Sequence, residues 1–384
     1  MTRTGLIVRR ACVLLALSLL PAACSDSDSP PEKGGGSANA SGGGWAALGS
    51  GMDWPVHALT IGPDGKLYAG GRFREAGGVE ANFVAAWDGS AWSAMPGKFQ
   101  MDLNALAFYD DGSGPALHAA SSEGAGGLRL SKWAGGKWQP LGDSINGDIA
   151  VLQPFDAGGK KLLLAGGQIN SIGQLIVGSF AQWDGKEWAR GLGASFNNSV
   201  YAINITPDGK VAVGGWFTSL DYSNNFYDAK GLTIWDGQAW TSPGGGIGEL
   251  GVYAIAVFDD GSGPALYAAG EFQTAGGQTA RNIARWDGKA WQEVGGGVDG
   301  AIRSMTVVKT PAGPRLYVGG RFDNAGSVEA KNIAAWDGKA WSALGEGVDD
   351  EVKALAAHNG KLYVGGDFMQ AGGKEANRIA VWTP

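Results

Sequence analysis

The chain has 384 residues, of which 67 are glycine and 10% aromatic, and it carries a formal charge of -7 at pH 7. This composition excludes a mainly helical protein, since glycine inside a helix costs roughly 1 kcal/mol relative to alanine. It also excludes nucleic acid as a partner, because phosphate binding needs clustered Lys and Arg and no basic block occurs.

From the N-terminus, Arg3, Arg9 and Arg10 precede the apolar run Ala11 to Leu20. That run is too short to span a bilayer comfortably and has the form of a cleavable export signal, assigned to residues 1–23. The segment Leu20-Pro21-Ala22-Ala23-Cys24 resembles a bacterial lipobox, with Pro21 where an aliphatic residue is usual. The resemblance implies lipidation of Cys24 and a membrane-anchored lipoprotein of the outer membrane or cell surface. Ordinary signal-peptidase cleavage is the alternative and would give a periplasmic or secreted product. Cys12 and Cys24 are the only cysteines, so the mature domain has no internal disulfide. Residues 24–44 are Gly/Ser-rich and too poor in apolar groups to fold, which makes them a tether.

From residue 45 onward one motif recurs with a period of about 50 residues. It is clearest as LYAAGEFQTAGGQTARNIARWDGKAWQEVGGGV, then LYVGGRFDNAGSVEAKNIAAWDGKAWSALGEGV, then LYVGGDFMQAGGKEANRIAVW. Earlier copies show at Gly70-Gly71-Arg72-Phe73, Gly166-Gly167-Gln168-Ile169 and Gly214-Gly215-Trp216-Phe217, with a degenerate copy at Ala119-Ala120-Ser121-Ser122. Tryptophan gives the same count of seven. One set ends an apolar run (Trp87, Trp133, Trp183, Trp235, Trp286, Trp336, Trp382) and another begins the next (Trp45, Trp92, Trp138, Trp188, Trp240, Trp291, Trp341), using fourteen of the sixteen tryptophans. All fourteen read as packing residues, leaving Trp54 and Trp216 over.

Each repeat supplies four strand-like runs, the content of one propeller blade. The expected fold is therefore all-β, a seven-bladed β-propeller over residues 45–384 with four-stranded antiparallel blades. The first run carries small residues (Ala58, Ala105, Ala202, Ala254, Ser304, Ala354) and is placed innermost. Asp-Gly or Asn-Gly pairs such as Asp64-Gly65, Asp88-Gly89 and Asn359-Gly360 suggest type I′ hairpins on one face. The longer AGGxxAxN and GxGV connections then share the other face, where ligand-binding variation is expected. Trp45 to Gly49 lacks a preceding partner and Ile379 to Trp382 a following one, so these two are expected to pair and close the ring.

An apolar strand ending in Gly-Gly and followed by two spaced aromatics is similar to the kelch repeat. The fuller LYVGGxF…AGG…IAxWDGxxW pattern resembles bacterial and fungal repeats related to the cortical polarity marker Rax2. Such a resemblance implies binding at a cell surface more than any one chemistry.

No catalytic constellation is legible, and no cofactor or metal motif. His57, His118 and His358 are isolated in or beside strands, and Asp110-Asp111-Gly112-Ser113-Gly114 with its twin Asp259-Asp260-Gly261-Ser262-Gly263 falls where hairpin turns are due. The expected function is an exported binding or scaffold protein that recognises a protein or carbohydrate through the loop-rich face; a hydrolase or lyase acting on an extracellular glycan is the alternative. Between Thr218 and Lys230 the AGG pattern gives way to TSLDYSNNFYDAK, which concentrates Tyr222, Phe226 and Tyr227 among Asp221 and Asn224. These residues, joined by Trp54 and Trp216, are the candidate ligand site, with capping of the blade as their competing role.

Overall fold

A computed structural model of the chain describes residues 43–97, 99, 101–122, 129–248 and 251–384. The export signal, Cys24 and most of the tether lie outside them. Regular structure among the described residues is β, apart from two short 3-10 turns at Gly191–Gly193 and Pro243–Gly245.

The first sheet is built in order from Val56–Ile61, Leu67–Gly71, Val84–Trp87 and Trp92–Ala94, all antiparallel. The same four-strand order recurs in five further sheets, whose first strands are Leu103–Asp110, Ile145–Ala157, Val200–Ile205, Val252–Asp259 and Ala301–Thr310. A seventh sheet contains Val352–His358, Lys361–Gly366 and Ile379–Thr383, and its outer strand is Gly44–Ala47 from the other end of the domain. Each first strand lies against the first strand of the next sheet, and that of the seventh against that of the first. The small residues explain why these strands can crowd together: Ala58, Ala105, Ala202, Ala254 and Ala354 are all buried.

Packing between sheets repeats as faithfully as the sequence does. At the outer end of every sheet two tryptophans face each other across the third and fourth strands, as in Trp87 with Trp92 and Trp336 with Trp341, their centroids 5.4 and 5.1 Å apart. The fourth-strand ring then reaches the preceding sheet, for Trp92 Nε1 donates to Leu48 O at 2.9 Å and Trp291 Nε1 to Pro243 O at 2.8 Å. Trp45 does the same across the closing sheet, donating to Leu344 O at 2.7 Å.

The turns correct one expectation. Type I′ geometry needs positive φ at both central residues, and among the Asp-Gly and Asn-Gly sites only Asn359-Gly360 has it, at 50° and 73°. The WDG turns are four-residue loops closed by the aspartate itself: Asp88 Oδ1 accepts from the backbone N–H of Ser90 and Ala91 at 2.8 and 2.9 Å, and Asp184, Asp236, Asp287 and Asp337 repeat this. Their value lies in the carboxylate as acceptor rather than in tolerance of left-handed backbone. Positive φ at both central residues also occurs at Gly135-Gly136 and Gly158-Gly159 on the same face, and on the opposite face in the AGG connections, where Gly276-Gly277 has φ of 57° and 76° between the short strands Thr274–Ala275 and Gln278–Thr279.

Candidate functional site

One backbone irregularity recurs at the equivalent place in every sheet, the third sheet having a second one between Asn146 and Gly147. Near the start of every first strand the register slips by one residue, leaving His57, Asn104, Ala150, Tyr201, Tyr253, Arg303 and Lys353 without a cross-strand partner. A bulge of this kind re-aims its side chain out of the ladder. All seven are half-buried, whereas the residues before and after each are mostly core. Since the first strands lie side by side, the seven positions share one end of them, the mouth, where Ala150, Tyr201, Tyr253 and Arg303 line one cavity and Lys353 acts on His57.

Unlike the tryptophans, these seven residues are of six kinds, and all but Asn104 fall into two regions of the mouth. The charged region runs from Arg303 through Lys353 to His57. Arg303 Nε pairs with Glu351 Oε1 at 2.8 Å and Lys353 Nζ with Asp367 Oδ1 at 2.7 Å. Burial, and next the charge of Lys353, push the His57 imidazole below its usual value near 6.5.

The second region is aromatic. Tyr201 packs edge-on against Tyr253 and Trp216, with centroids 5.5 and 5.7 Å away, and Trp216 Nε1 donates to Tyr253 Oη at 3.1 Å. The guanidinium of Arg303 lies 4.5 Å from the Tyr253 centroid, closing the pit from the charged side. Together with Ala150 and Glu271 these residues line a cavity of about 520 Å³, within the usual size range of ligand pockets, roughly 300–1,000 Å³. Trp216 follows Gly214-Gly215 at the end of its strand, and its indole fits there because Gly251 faces it. A Cβ on Gly251 would come within 1.8 Å of the Trp216 ring, and φ at Gly251 is +124°.

The residues singled out in the sequence are spread over two cavities and a hairpin. Trp216 is half exposed in the aromatic pit. Trp54, also half exposed, lies under Arg72 with the guanidinium 5.1 Å from the ring, and lines a separate cavity of about 410 Å³ with Arg74, Met101 and Asp102. The segment after Thr218 is an elongated version of the AGG hairpin, Ser219–Tyr222 paired with Asn225–Asp228, turning at Ser223-Asn224 with φ of 53° and 63°. Its first strand adds to Ala194–Phe196 as a third strand. Tyr222 is drawn inward, 5.3 Å from the Trp235 ring, whereas Phe226 points out with 84% of its surface exposed. Asp221 and Asn224 belong to the hairpin and its turn, and Tyr227 is exposed beside Phe226.

Sequence reasoning missed Tyr201, Tyr253, Glu271 and Arg303. A signal existed: the second residue of the first-strand run reads His, Asn, Ala, Tyr, Tyr, Arg, Lys while its neighbours hardly change. The two acidic turns are occupied structurally, Asp111 by Lys132 at 2.6 Å and Asp260 by Arg285 at 2.8 Å, besides backbone N–H groups. No group of three or more His, Cys, Asp or Glu suited to a metal ion occurs among the described residues.

The profile of a β-propeller domain of unknown function, DUF5122, matches residues 62–85, 206–227 and 358–380. No curated protein matches the sequence. Among solved structures, the chain is similar to the WD40 β-propeller domain of Doa1, with TM-score 0.54 and 14% identity over 88% of this chain and 97% of that one. It is also similar to the extracellular domain of a protein described as a one component system from B. thetaiotaomicron, with TM-score 0.56 and 11% identity over 88% of this chain. The chain spans 39% of the length of that second protein's solved chain. Identities this low speak for the fold alone, and with the sheets above they make the chain an all-β protein with the β-propeller fold.

Proposed function

We propose that the protein is an exported binding or scaffold protein that takes a protein or carbohydrate ligand at the mouth ringed by the bulged residues, on the loop-rich face. One observation carries this reading: a position fixed by backbone geometry in all seven repeats is filled by seven side chains with no packing requirement in common. Repetition elsewhere in the molecule holds a residue constant wherever packing needs it. Variation confined to the mouth is what recognition of an asymmetric ligand requires.

Export rests on residues 1–23, and membrane attachment on lipidation of Cys24, with residues 24–44 holding the propeller away from the bilayer. Mass measurement of the mature N-terminus tests both, and an unmodified Cys24 in the mature chain refutes the anchor.

Glycan-array and pull-down profiling of residues 45–384, run in parallel for wild type and for Tyr253→Ala combined with Arg303→Ala, tests the mouth. The expected result is a ligand retained by wild type and lost by the double variant while the thermal melt stays cooperative. A ligand held equally by both places the binding surface elsewhere.

A further inference from the structure

We infer that the aromatic pit takes an uncharged glycan, one sugar ring stacking on Trp216 with its hydroxyls bonded by Glu271 and Arg303. The inference rests on the mouth being the binding site and adds the class of ligand. Its first support is the way Trp216 is held. The pyrrole edge is tied down, since Nε1 donates to Tyr253 Oη and Cδ1 faces Gly251, yet the residue remains 47% exposed. The half-solvated indole is therefore fixed in orientation before any ligand arrives. A rigid, half-solvated indole face matches the apolar C–H face of a pyranose, and prior fixation reduces the entropy lost on binding.

Charge supplies the second support. The cationic head of Arg303 is matched by Glu351, and no cation pairs with Glu271 among the described residues. An acidic sugar would meet a pit whose surplus charge is negative, at an energetic cost in a partly desolvated setting. Glu271 as acceptor and the remaining guanidinium N–H groups as donors instead suit neutral hydroxyls.

A quaternary ammonium ion is the other ligand that aromatic residues beside a carboxylate bring to mind. The packing argues against it. Tyr201 lies edge-to-face against Tyr253 and Trp216 at 5.5 and 5.7 Å, and Trp216 lies tilted against Tyr253 at 6.3 Å, so the three rings pack against one another. The face of Tyr253 is already covered by Arg303, which leaves that face closed to a cation.

The test is calorimetric titration of residues 45–384 with soluble four- to six-unit oligosaccharides of glucan, xylan, mannan and galactan type, with a polyuronate series and choline as contrasting probes. At least one neutral series is expected to bind. Trp216→Ala should then weaken it tenfold or more, Trp216→Phe should keep most of the affinity, and Glu271→Gln should cost a few-fold, all with melts that stay cooperative. Failure of every neutral series, binding of only the uronates or choline, or affinity indifferent to Trp216→Ala overturns the inference. A protein partner found by pull-down and lost in Tyr253→Ala/Arg303→Ala would leave the mouth as the binding site while removing the glycan.

Discussion

The outer tryptophans and the inner bulges both occur seven times, once per sheet, yet the first set is invariant and the second shares almost nothing. In the outer set each ring touches the same partners in every repeat: its mate across the hairpin and, in most sheets, a carbonyl of the preceding sheet. A close-packed contact of that kind tolerates only one shape. In the inner set only the backbone is repeated, and the side chain meets solvent and whatever enters the mouth. Identity across repeats therefore marks what holds the molecule together, and diversity at a repeated geometry is what the proposed binding mouth rests on.

The largest effect that follows belongs to the outer set. Deleting residues 45–49 removes the outer strand of the seventh sheet, the Trp45 contact with Trp382 at 5.3 Å, the Trp45 bond to Leu344 O, and Leu48, which is 1% exposed. Each large apolar side chain lost from burial costs about 1.5 to 3 kcal/mol, and the unpaired strand edge adds to this. Thermal unfolding of the truncated domain should drop by roughly 10 °C or more. A melt matching wild type would mean that the first and seventh sheets stand without this strand, and would end the claim that the outer contacts are structural.

How much of this the sequence disclosed follows the same division. The fourteen tryptophans, the Gly-Gly strand ends and the four-run repeat are periodic, so the all-β propeller and its inner strand could be read directly. The mouth could not be read that way, because His57, Tyr201, Tyr253 and Arg303 look like noise within the motif until the bulge places them together. The departure that the sequence does display is the segment after Thr218, where the motif lengthens. Length proved to be a longer hairpin on the same I′ turn, and its aromatics divide between packing and solvent. The turn assignment failed for a related reason: Asp-Gly signals a reversal, but whether glycine or the aspartate carboxylate makes it depends on loop length, which the dipeptide does not encode.

A middle-sized effect comes from a place where the repeat is broken inside the packed region. His118 stands in the second sheet where the first, fifth, sixth and seventh have Tyr68, Tyr267, Tyr317 and Tyr363. Its ring is 0% exposed, lies 5.4 Å from Tyr109 and bonds Ala116 O through Nδ1 at 2.9 Å, while Nε2 has no partner. Burial, reinforced by Lys132, lowers its pKa from 6.5 to about 4. The neutral form is thus the native one. Between pH 6.5 and 4 the unfolded chain binds a proton that the folded chain refuses, so stability rises with pH across this window. It is fully present above about 6.5 and falls by up to about 3 kcal/mol as the pH approaches 4. His118→Tyr should abolish this loss, because the fifth sheet shows the tyrosine bonding the turn aspartate, Tyr267 Oη to Asp260 Oδ2 at 3.1 Å, and Asp111 occupies the same place beside His118. Denaturant melts at pH 7, 6, 5 and 4.5 for wild type and variant give the comparison. Parallel pH curves would assign the titration to another group.

The smallest expected effect bears on the border between the two regions, at the hairpin Ser219–Asp228. Phe226, the most exposed large apolar residue described, makes no ring contact there, whereas Tyr222 leans on Trp235 and sends its hydroxyl toward Gln238 O at 3.5 Å. Phe226→Ala should change stability by no more than about 0.5 kcal/mol, as surface substitutions usually do. Tyr222→Ala, by uncovering Trp235, should lower it by about 1 to 2 kcal/mol, given that an aromatic pair is worth about 0.5 to 1.5 kcal/mol beyond its buried area. Neither change should affect ligand binding if recognition belongs to the bulged ring, since neither residue lines the pit with Trp216. Melting and titration of the two single variants, measured against Trp216→Ala, separate the outcomes. If Phe226→Ala leaves the melt intact but abolishes binding, recognition resides in the lengthened hairpin, and the rule that diversity at a repeated geometry marks function fails for this protein.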